Sequence, residues 1–158
     1  MSRKVIKVKN EYLYQIVAEG FDDFIKVIRS PINIEVMTGK NNVLNFDGFH
    51  SKECQQGVSF VKTIQYQEKS GTAIDLSTVT AIMQVRTSYD KSLIVELSTT
   101  NGKITFDSND AMVLSLTPEE TSLLPVGKYV YDIEITWLSG LVERFVSGEF
   151  LVTAEVSL

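Results

Sequence analysis

Alternation of apolar and polar side chains over residues 124–150 restricts this chain to a β fold more strongly than any other feature. The stretch LPVGKYVYDIEITWLSGLVERFVSGEF predicts a tight turn, a long strand, a hairpin turn and a returning strand. Its period of two is that of a strand with one buried and one solvent-facing side. The apolar side comprises Tyr129, Tyr131, Ile133, Ile135 and Trp137. The pattern favours an antiparallel β-sandwich, a fold that more often displays surfaces than performs catalysis.

The turn before this strand has the residues of a sandwich corner. Pro125 and Gly127 supply the turn, and Tyr129 and Tyr131 follow it. In immunoglobulin-like domains a tyrosine at this place donates a hydrogen bond to backbone a few residues upstream. Either tyrosine has the right position, so we predict that one of the two fixes the corner.

Short strands separated by turn residues fill the rest of the chain. Asn101-Gly102 predicts a hairpin, Gly148 predicts a bulge, and Thr117 with Glu120 predicts a capped helical turn over residues 118–123. Seven or eight strands in about 100 residues are typical of an immunoglobulin-like sandwich. In the first third the predicted strands are Val5–Val8, Tyr12–Val17, Phe24–Arg29, Ile32–Met37 and Val43–Phe46.

A polar stretch without periodicity, residues 47–53, divides the two series of strands. We therefore predict an N-terminal β-rich appendage over residues 1–50 and an immunoglobulin-like sandwich over residues 55–158. We also expect residues 57–158 to fold alone, and limited proteolysis to cut near Lys52.

Charge and cysteine usage exclude several classes of function. The net charge is −5, of which residues 1–50 carry +1 and residues 51–158 carry −6. An acidic domain does not favour nucleic acid, whose binding requires cations opposite the phosphates. No signal peptide and no apolar run long enough for a membrane helix is evident. The single cysteine, Cys54, excludes an intramolecular disulfide and favours synthesis in a reducing cytoplasm.

The sequence contains few residues in patterns that indicate a catalytic or metal site. The one histidine, His50, lies in the polar stretch and Cys54 directly follows it, without a recognisable catalytic acid or oxyanion segment, and two ligands are too few for a structural zinc site. The carboxylate pairs Asp22-Asp23 and Glu119-Glu120 read as a turn and a helix N-terminus. The loop at residues 107–110 lacks the glycine and the final glutamate of a calcium loop. We predict a protein that is not an enzyme and that holds no cofactor or metal.

Residues 57–156 resemble a module of virion proteins of tailed bacteriophages. The resemblance covers about two-thirds of the chain and preserves order and spacing. Its pieces are residues 74–77 (IDLS), 83–86 (MQVR), 93–104 (LIVELSTTNGKI), 116–121 (LTPEET), 124–134 (LPVGKYVYDIE), Gly140-x-Val142-x-Arg144 and Gly148-x-Phe150-x-Val152.

This resemblance implies a structural, non-enzymatic role in a virion and does not say in which part. We prefer the tail or baseplate. Its expected partners are other virion structural proteins and further copies of itself, with no nucleic acid and no membrane. The expected location is the virion, after synthesis in the host cytoplasm. Alternatives are a head decoration or neck protein, or a receptor- or glycan-binding sandwich. A large apolar surface in residues 1–50 would favour assembly, and exposed aromatic rings around a shallow groove would favour binding.

The segment 1–50 matches nothing in that module and is short for independent folding. We therefore expect it to carry the principal assembly contact, so that deletion of residues 1–30 would leave a soluble sandwich that is not incorporated into particles. The candidate residues for this interface, or for the core of the appendage, are Tyr12, Tyr14, Phe24, Ile32 and Ile34. On the sandwich, Trp137 lies at a strand end, where a sugar-binding role stays open.

Overall fold

Two five-stranded sheets pack face to face in the computed structural model, which describes residues 12–18, 23–31, 42–68 and 70–155. The predicted strands Val5–Val8 and Ile32–Met37 lie outside these residues. The elements are β1 (Tyr12–Ala18), β2 (Phe24–Pro31), β3 (Cys54–Gln55), β4 (Phe60–Glu68), β5 (Thr80–Arg86), β6 (Leu93–Ser98), β7 (Ile104–Ser108), β8 (Ala111–Leu116), α1 (Pro118–Ser122), β9 (Gly127–Thr136) and β10 (Val142–Thr153).

The strand order is that of an immunoglobulin-like sandwich with an added hairpin. Sheet I has the order β1-β2-β4-β8-β7, and sheet II has the order β3-β10-β9-β5-β6. Strands β4, β8 and β7 correspond to B, E and D of the immunoglobulin fold, and β10, β9, β5 and β6 correspond to G, F, C and C′. The prediction of an all-β sandwich is therefore confirmed.

The sequence predicts an antiparallel sandwich, but some of the strand pairs are parallel. The β1–β2 hairpin joins sheet I through a parallel pairing of β2 with β4, from Phe24 opposite Thr63 to Arg29 opposite Glu68. Strand β3 also runs parallel to β10. The hairpin thus extends the sheet beyond the strand equivalent to B.

Strands from both sides of the predicted 47–53 boundary share one sheet and one core. Val43 and Phe46 form parallel bridges to Ser147 and Phe150 of β10, and Phe46 is fully buried. The division into residues 1–50 and 55–158 stays a prediction about independent folding, but the packing of the two parts is continuous.

Aromatic rings fill the centre between the sheets. Phe46 and Phe60 meet edge to face with centroids 5.6 Å apart, and Tyr131 and Phe150 lie within 6.4 Å of each other. Edge-to-face pairs of this kind add about 0.5–1.5 kcal/mol to the burial of their area. The remaining core follows the alternation that the sequence predicts, as in β9, where Tyr129, Tyr131, Ile133 and Ile135 are buried.

A bulge in β10 changes which of its residues face the core. The register against β9 shifts between Arg144 and Val146, so the bulge lies at Phe145 and not at Gly148, where we predicted it. Asn42 donates from its amide to the carbonyls of Arg144 and Phe145, at 3.2 Å each. The extra residue reverses the parity of the strand. The side chain of Glu143 therefore faces inward.

Gly148 has a different role, which is to permit the close approach of another backbone segment. A Cβ atom at this position would lie 2.2 Å from the carbonyl oxygen of Leu44. The amides of Leu44 and Phe46 donate to the carbonyls of Ser147 and Glu149 at 2.8 and 2.9 Å. Only glycine allows this segment to run so close to β10.

The Asn101-Gly102 turn does not close a hairpin. It joins β6 of sheet II to β7 of sheet I, so its two flanking strands do not pair. Asn101 accepts hydrogen bonds from the amides of Ser98 and Lys103, and Gly102 has φ of +79°. The local turn was predictable, but the change of sheet depends on packing.

The short helix α1 begins as predicted. The amide of Glu120 donates to Thr117 Oγ1 at 3.2 Å, and the amide of Thr117 donates to Glu120 Oε1 at 2.9 Å, which completes a capping box. Pro118 occupies the first turn. Lys103 Nζ lies 2.6 Å from Glu120 Oε2 and attaches the helix to the start of β7.

Candidate functional site

In the described residues, the sandwich contains two polar clusters in its interior and two kinds of exposed feature on its surface. Of the candidate interface residues, Tyr14 belongs to an interior cluster. Tyr14 on β1 is buried, and Phe24 at the start of β2 is half-buried. Tyr12 begins β1. Ile32 and Ile34 lie outside the described residues. Tyr14 is thus a core residue, one of the two roles that the sequence left open for it.

The larger interior cluster surrounds Glu143. This carboxylate is only 2 % exposed and accepts three hydrogen bonds. Tyr66 donates to Oε2 at 2.5 Å, Tyr14 donates to the same oxygen at 2.7 Å, and Trp137 Nε1 donates to Oε1 at 3.0 Å. Each of the three groups is a donor, and the carboxylate is the acceptor in every case.

This cluster joins three parts of the molecule. Tyr14 lies on the N-terminal hairpin, Tyr66 lies on β4 of sheet I, and Glu143 lies on β10 of sheet II. Burial, and then the neighbouring Glu143 carboxylate, raises the pKa of Tyr66 well above its ordinary value. The hydroxyl therefore stays protonated and continues to donate. The role of the cluster is structural: it fastens the hairpin across the sandwich.

The second interior group is Lys62 on β4. Its side chain is 2 % exposed and its Nζ atom lies 2.9 Å from Asp23 Oδ1, while the Asp23 side chain is 63 % exposed. The ammonium also lies 5.4 Å from the ring centroid of Phe60 and 5.8 Å from that of Phe46, within the range of cation–π attraction. This pair is a second polar link between the N-terminal hairpin and the sandwich, and Arg29 with Glu68 is a third, at 2.8 Å.

The residues that could suggest catalysis do not form a site. Burial raises the pKa of Cys54 to about 12, so its thiol is a poor nucleophile. His50 is exposed and its Nδ1 atom lies 2.8 Å from Asp47 Oδ2. Burial alone would raise the pKa of Asp47, but hydrogen bonds from His50 and Phe49 lower it to about 2. These contacts close a local turn.

Within the described ranges, no three His, Cys, Asp or Glu side chains are placed to hold a metal ion. No helix of the described part is long and apolar enough to cross a membrane.

At the predicted corner, Tyr129 makes the bond. Its hydroxyl donates to the carbonyl oxygen of Pro125 at 2.7 Å, and its ring lies against Gly127. Tyr131 instead donates to the carbonyl oxygen of Leu44 at 2.5 Å, which attaches the segment before the polar stretch to β9. Tyr131 stands two residues after the corner tyrosine, where antibody domains carry the second cysteine of their disulfide.

Among the exposed apolar side chains, two groups lie at the two ends of β9. At the β9–β10 turn, Leu138 is 81 % exposed and Leu141 and Val142 are also exposed. At the opposite end of β9, Leu123 is 82 % exposed and Val126 is exposed beside it. At about 3.3 Å per residue, the twelve steps from residue 126 to residue 138 span roughly 40 Å. The two apolar ends are therefore separate surfaces.

A groove lies on the outer face of sheet II. Its volume is about 480 Å³. The strands β5 and β9 form its floor, and the loop between β5 and β6 forms one wall. We call it the outer-face groove; its polar and aromatic lining includes Gln84, Arg86, Tyr89, Asp90, Asp132 and Arg144. Sequence reasoning placed none of these residues in a site, because their outward parity predicts only a solvated face.

Comparisons with known proteins identify no family for this chain. No protein-family model and no curated protein matches the chain. Among solved structures, the chain is similar to CopC from Methylosinus trichosporium OB3b, with 19% sequence identity over 67% of this chain and 88% of that one. The TM-score is 0.37.

Proposed function

We propose that this chain is a structural component of a tailed-phage virion, in the tail or baseplate, and that it acts through protein–protein contacts. The sequence resemblance of residues 57–156 motivates the proposal. The observation that carries it is the pair of apolar ends, because side chains such as Leu123 and Leu138 have no partner of their own chain in the described structure. Exposed apolar groups that cluster mark interaction sites more often than isolated ones do.

Two separate ends favour assembly in several copies. A twofold contact covers the same patch on both subunits and would leave the other end exposed. A contact between the end at Leu123 and the end at Leu138 of the next subunit covers both, and repeats of it generate a ring or a filament. A head decoration or neck protein would use the same surfaces, so position in the particle is a separate question.

The experiment compares incorporation of surface variants into particles. We expect Leu138→Ser with Leu141→Ser to reduce the amount of this protein in purified virions, measured by quantitative mass spectrometry. Val43→Ser is the matched control, since Val43 is an exposed apolar residue that bridges to Ser147, opposite Asp132 in the middle of β9 and away from both ends. Mass spectrometry of separated tail and head fractions assigns the position. Incorporation of the double variant at the control level would remove the proposal that these ends are the contacts.

Deletion of residues 1–30 is a weaker test of assembly than these surface variants. The deletion removes β1 and most of β2, including the buried side chains of Tyr14, Ile25 and Val27. It would expose one side of the core and leave Glu143 without one of its donors. Loss of incorporation would then report unfolding as readily as a lost contact, whereas exposed side chains can be changed without opening the core.

A further inference from the structure

The outer-face groove is built on a rigid part of the sandwich. Gln84 and Arg86 on β5 and Asp132 on β9 alternate with the buried residues of those strands, so they point away from the core. The two strands pair with Gln84 opposite Asp132. Side chains held on paired strands keep a fixed spacing, which favours recognition of a ligand without reorganisation.

The polar groups in the groove are held in place by each other. Arg86 donates from Nη2 to Gln84 Oε1 at 2.9 Å and from Nη1 to the carbonyl of Lys91 at 2.7 Å. Gln84 in turn donates from Nε2 to Glu96 Oε1 at 3.0 Å. A guanidinium has five N–H donors, so Arg86 keeps donors that these bonds do not use.

The charges that line the groove cancel. Arg86 and Arg144 are opposed by Asp90 and Asp132, and Arg144 Nε lies 3.5 Å from Asp132 Oδ2. An anionic ligand would approach two carboxylates, and a cationic ligand would approach two guanidinium groups. Donors and acceptors stand side by side, which suits hydroxyl groups, since each hydroxyl both donates and accepts.

An aromatic ring stands at the rim. Tyr89 is 74 % exposed, in a loop closed by hydrogen bonds from Thr87 to Ser92 and from Lys91 to Ser88. The next residue, Asp90, has φ of +64°, in the left-handed region that non-glycine residues seldom adopt. An exposed ring beside convergent polar groups offers an apolar face of the kind that packs against the C–H face of a sugar ring.

We propose that the outer-face groove binds a neutral saccharide, with Tyr89 against one face of a sugar ring and with Arg86, Asp132 and Arg144 bonded to its hydroxyls. The groove volume lies within the range of about 300–1,000 Å³ typical of small-molecule sites. This inference goes beyond assembly and does not depend on it.

The test is a titration of the full chain, labelled with ¹⁵N, with D-glucose, D-galactose, N-acetyl-D-glucosamine and L-rhamnose in turn. Each sugar is added to about 50 mM, which detects millimolar dissociation constants. The expected result is saturable movement of amide resonances at residues 84–90 and 130–132 with at least one sugar. Absence of saturable movement there with all four sugars overturns the proposal, as does movement confined to another surface.

Two variants at one position identify the ring contact. Tyr89→Ala should weaken binding by about tenfold, the effect of losing an aromatic contact, whereas Tyr89→Phe should keep the wild-type affinity within about threefold. Because the side chain is exposed, both variants should retain the amide spectrum of the folded wild type. Wild-type affinity in the folded Tyr89→Ala variant would overturn the placement of the sugar.

Discussion

Glu143 and Lys62 are both ionisable side chains that face the interior of the sandwich, yet their charges are compensated in different ways. Glu143 accepts from three neutral donors inside the protein. Lys62 is paired with one carboxylate that is itself mostly exposed. A buried charge needs compensation wherever it lies. The comparison indicates that the Glu143 cluster is an integral part of the core, whereas the Lys62 pair lies where the core meets solvent.

The largest expected effect is that of Glu143→Leu. The substitution leaves two tyrosine hydroxyls and the Trp137 indole N–H without their acceptor, so we expect a loss of about 3–5 kcal/mol in the free energy of unfolding. Urea denaturation measures it. Glu149→Gln on the same strand is the control, because its carboxylate makes a surface ion pair with Lys128 and the change should stay within about 0.5 kcal/mol. Equal effects of the two variants would contradict the comparison.

Tyr66→Phe comes next, with an expected loss of about 1.5–3 kcal/mol for one hydrogen bond to a charged acceptor. Tyr129→Phe is its reference, since it removes one hydrogen bond to a neutral carbonyl, that of Pro125, and should lose about 1 kcal/mol. The two denaturation midpoints give the comparison directly. A larger loss for Tyr129→Phe would mean that Glu143 does not strengthen its hydrogen bonds.

The same cluster predicts sensitivity to alkali. In the unfolded chain the Tyr66 hydroxyl ionises near its ordinary pKa of 10.0, whereas burial and Glu143 keep it protonated in the fold. Above pH 10 unfolding therefore releases a proton, and stability is lost as the pH rises. Because Tyr131 and Cys54 also have raised pKa values, the check is the difference in slope between wild type and Tyr66→Phe. We expect the variant to lose stability less steeply, and an identical slope would contradict this assignment.

At Lys62 the two partners should behave unequally. Asp23→Ala removes the carboxylate that pairs with a buried ammonium, and we expect a loss of about 1–3 kcal/mol in the free energy of unfolding. The measurement is urea denaturation at low and high salt. If the pair does not contribute to stability, the Asp23→Ala variant will unfold at the same urea concentration as the wild type.

The smallest effect is expected for Lys62→Met. Replacing a buried ion by an apolar side chain of similar length removes the need for compensation, so stability should stay within about 1 kcal/mol of wild type, in either direction. The same denaturation series measures it. A loss as large as that of Glu143→Leu would show that the two buried charges are equivalent after all.

Much of the fold could be predicted from sequence because it depends on local pattern. The alternation in β9 and the capping residues of α1 are visible in a few consecutive residues. The parallel pairing of β2 with β4 was not predictable, since it joins residues about 40 apart and no turn connects them. The change of sheet at Asn101-Gly102 could not be predicted either, because it also depends on contacts between distant parts of the chain.

The Glu143 cluster shows why interior polar groups are harder to find. Reading β10 back from the buried Phe150 and Val152 with a period of two places Glu143 outside. Only the consecutive apolar pair Phe145-Val146 indicates the bulge that turns it inward. Lys62 shares the parity of Phe60 and Ile64, so its inward position was readable. The pairing of Lys62 with Asp23 could not be predicted from the sequence, because Asp23 is brought to Lys62 by the added hairpin.

The bonds of Leu44 and Phe46 to β10 also set an order of events during synthesis. The amides and the carbonyls that they join are about 100 residues apart in the chain. At about 5–20 residues per second, the ribosome needs roughly 5–20 s to make the intervening polypeptide. Until β10 emerges, the early segment has no β10 backbone to pair with and Phe46 lacks the ring of Phe150. Pairing of this apolar stretch therefore waits until β10 has been made, and the stretch stays accessible to chaperones for that interval.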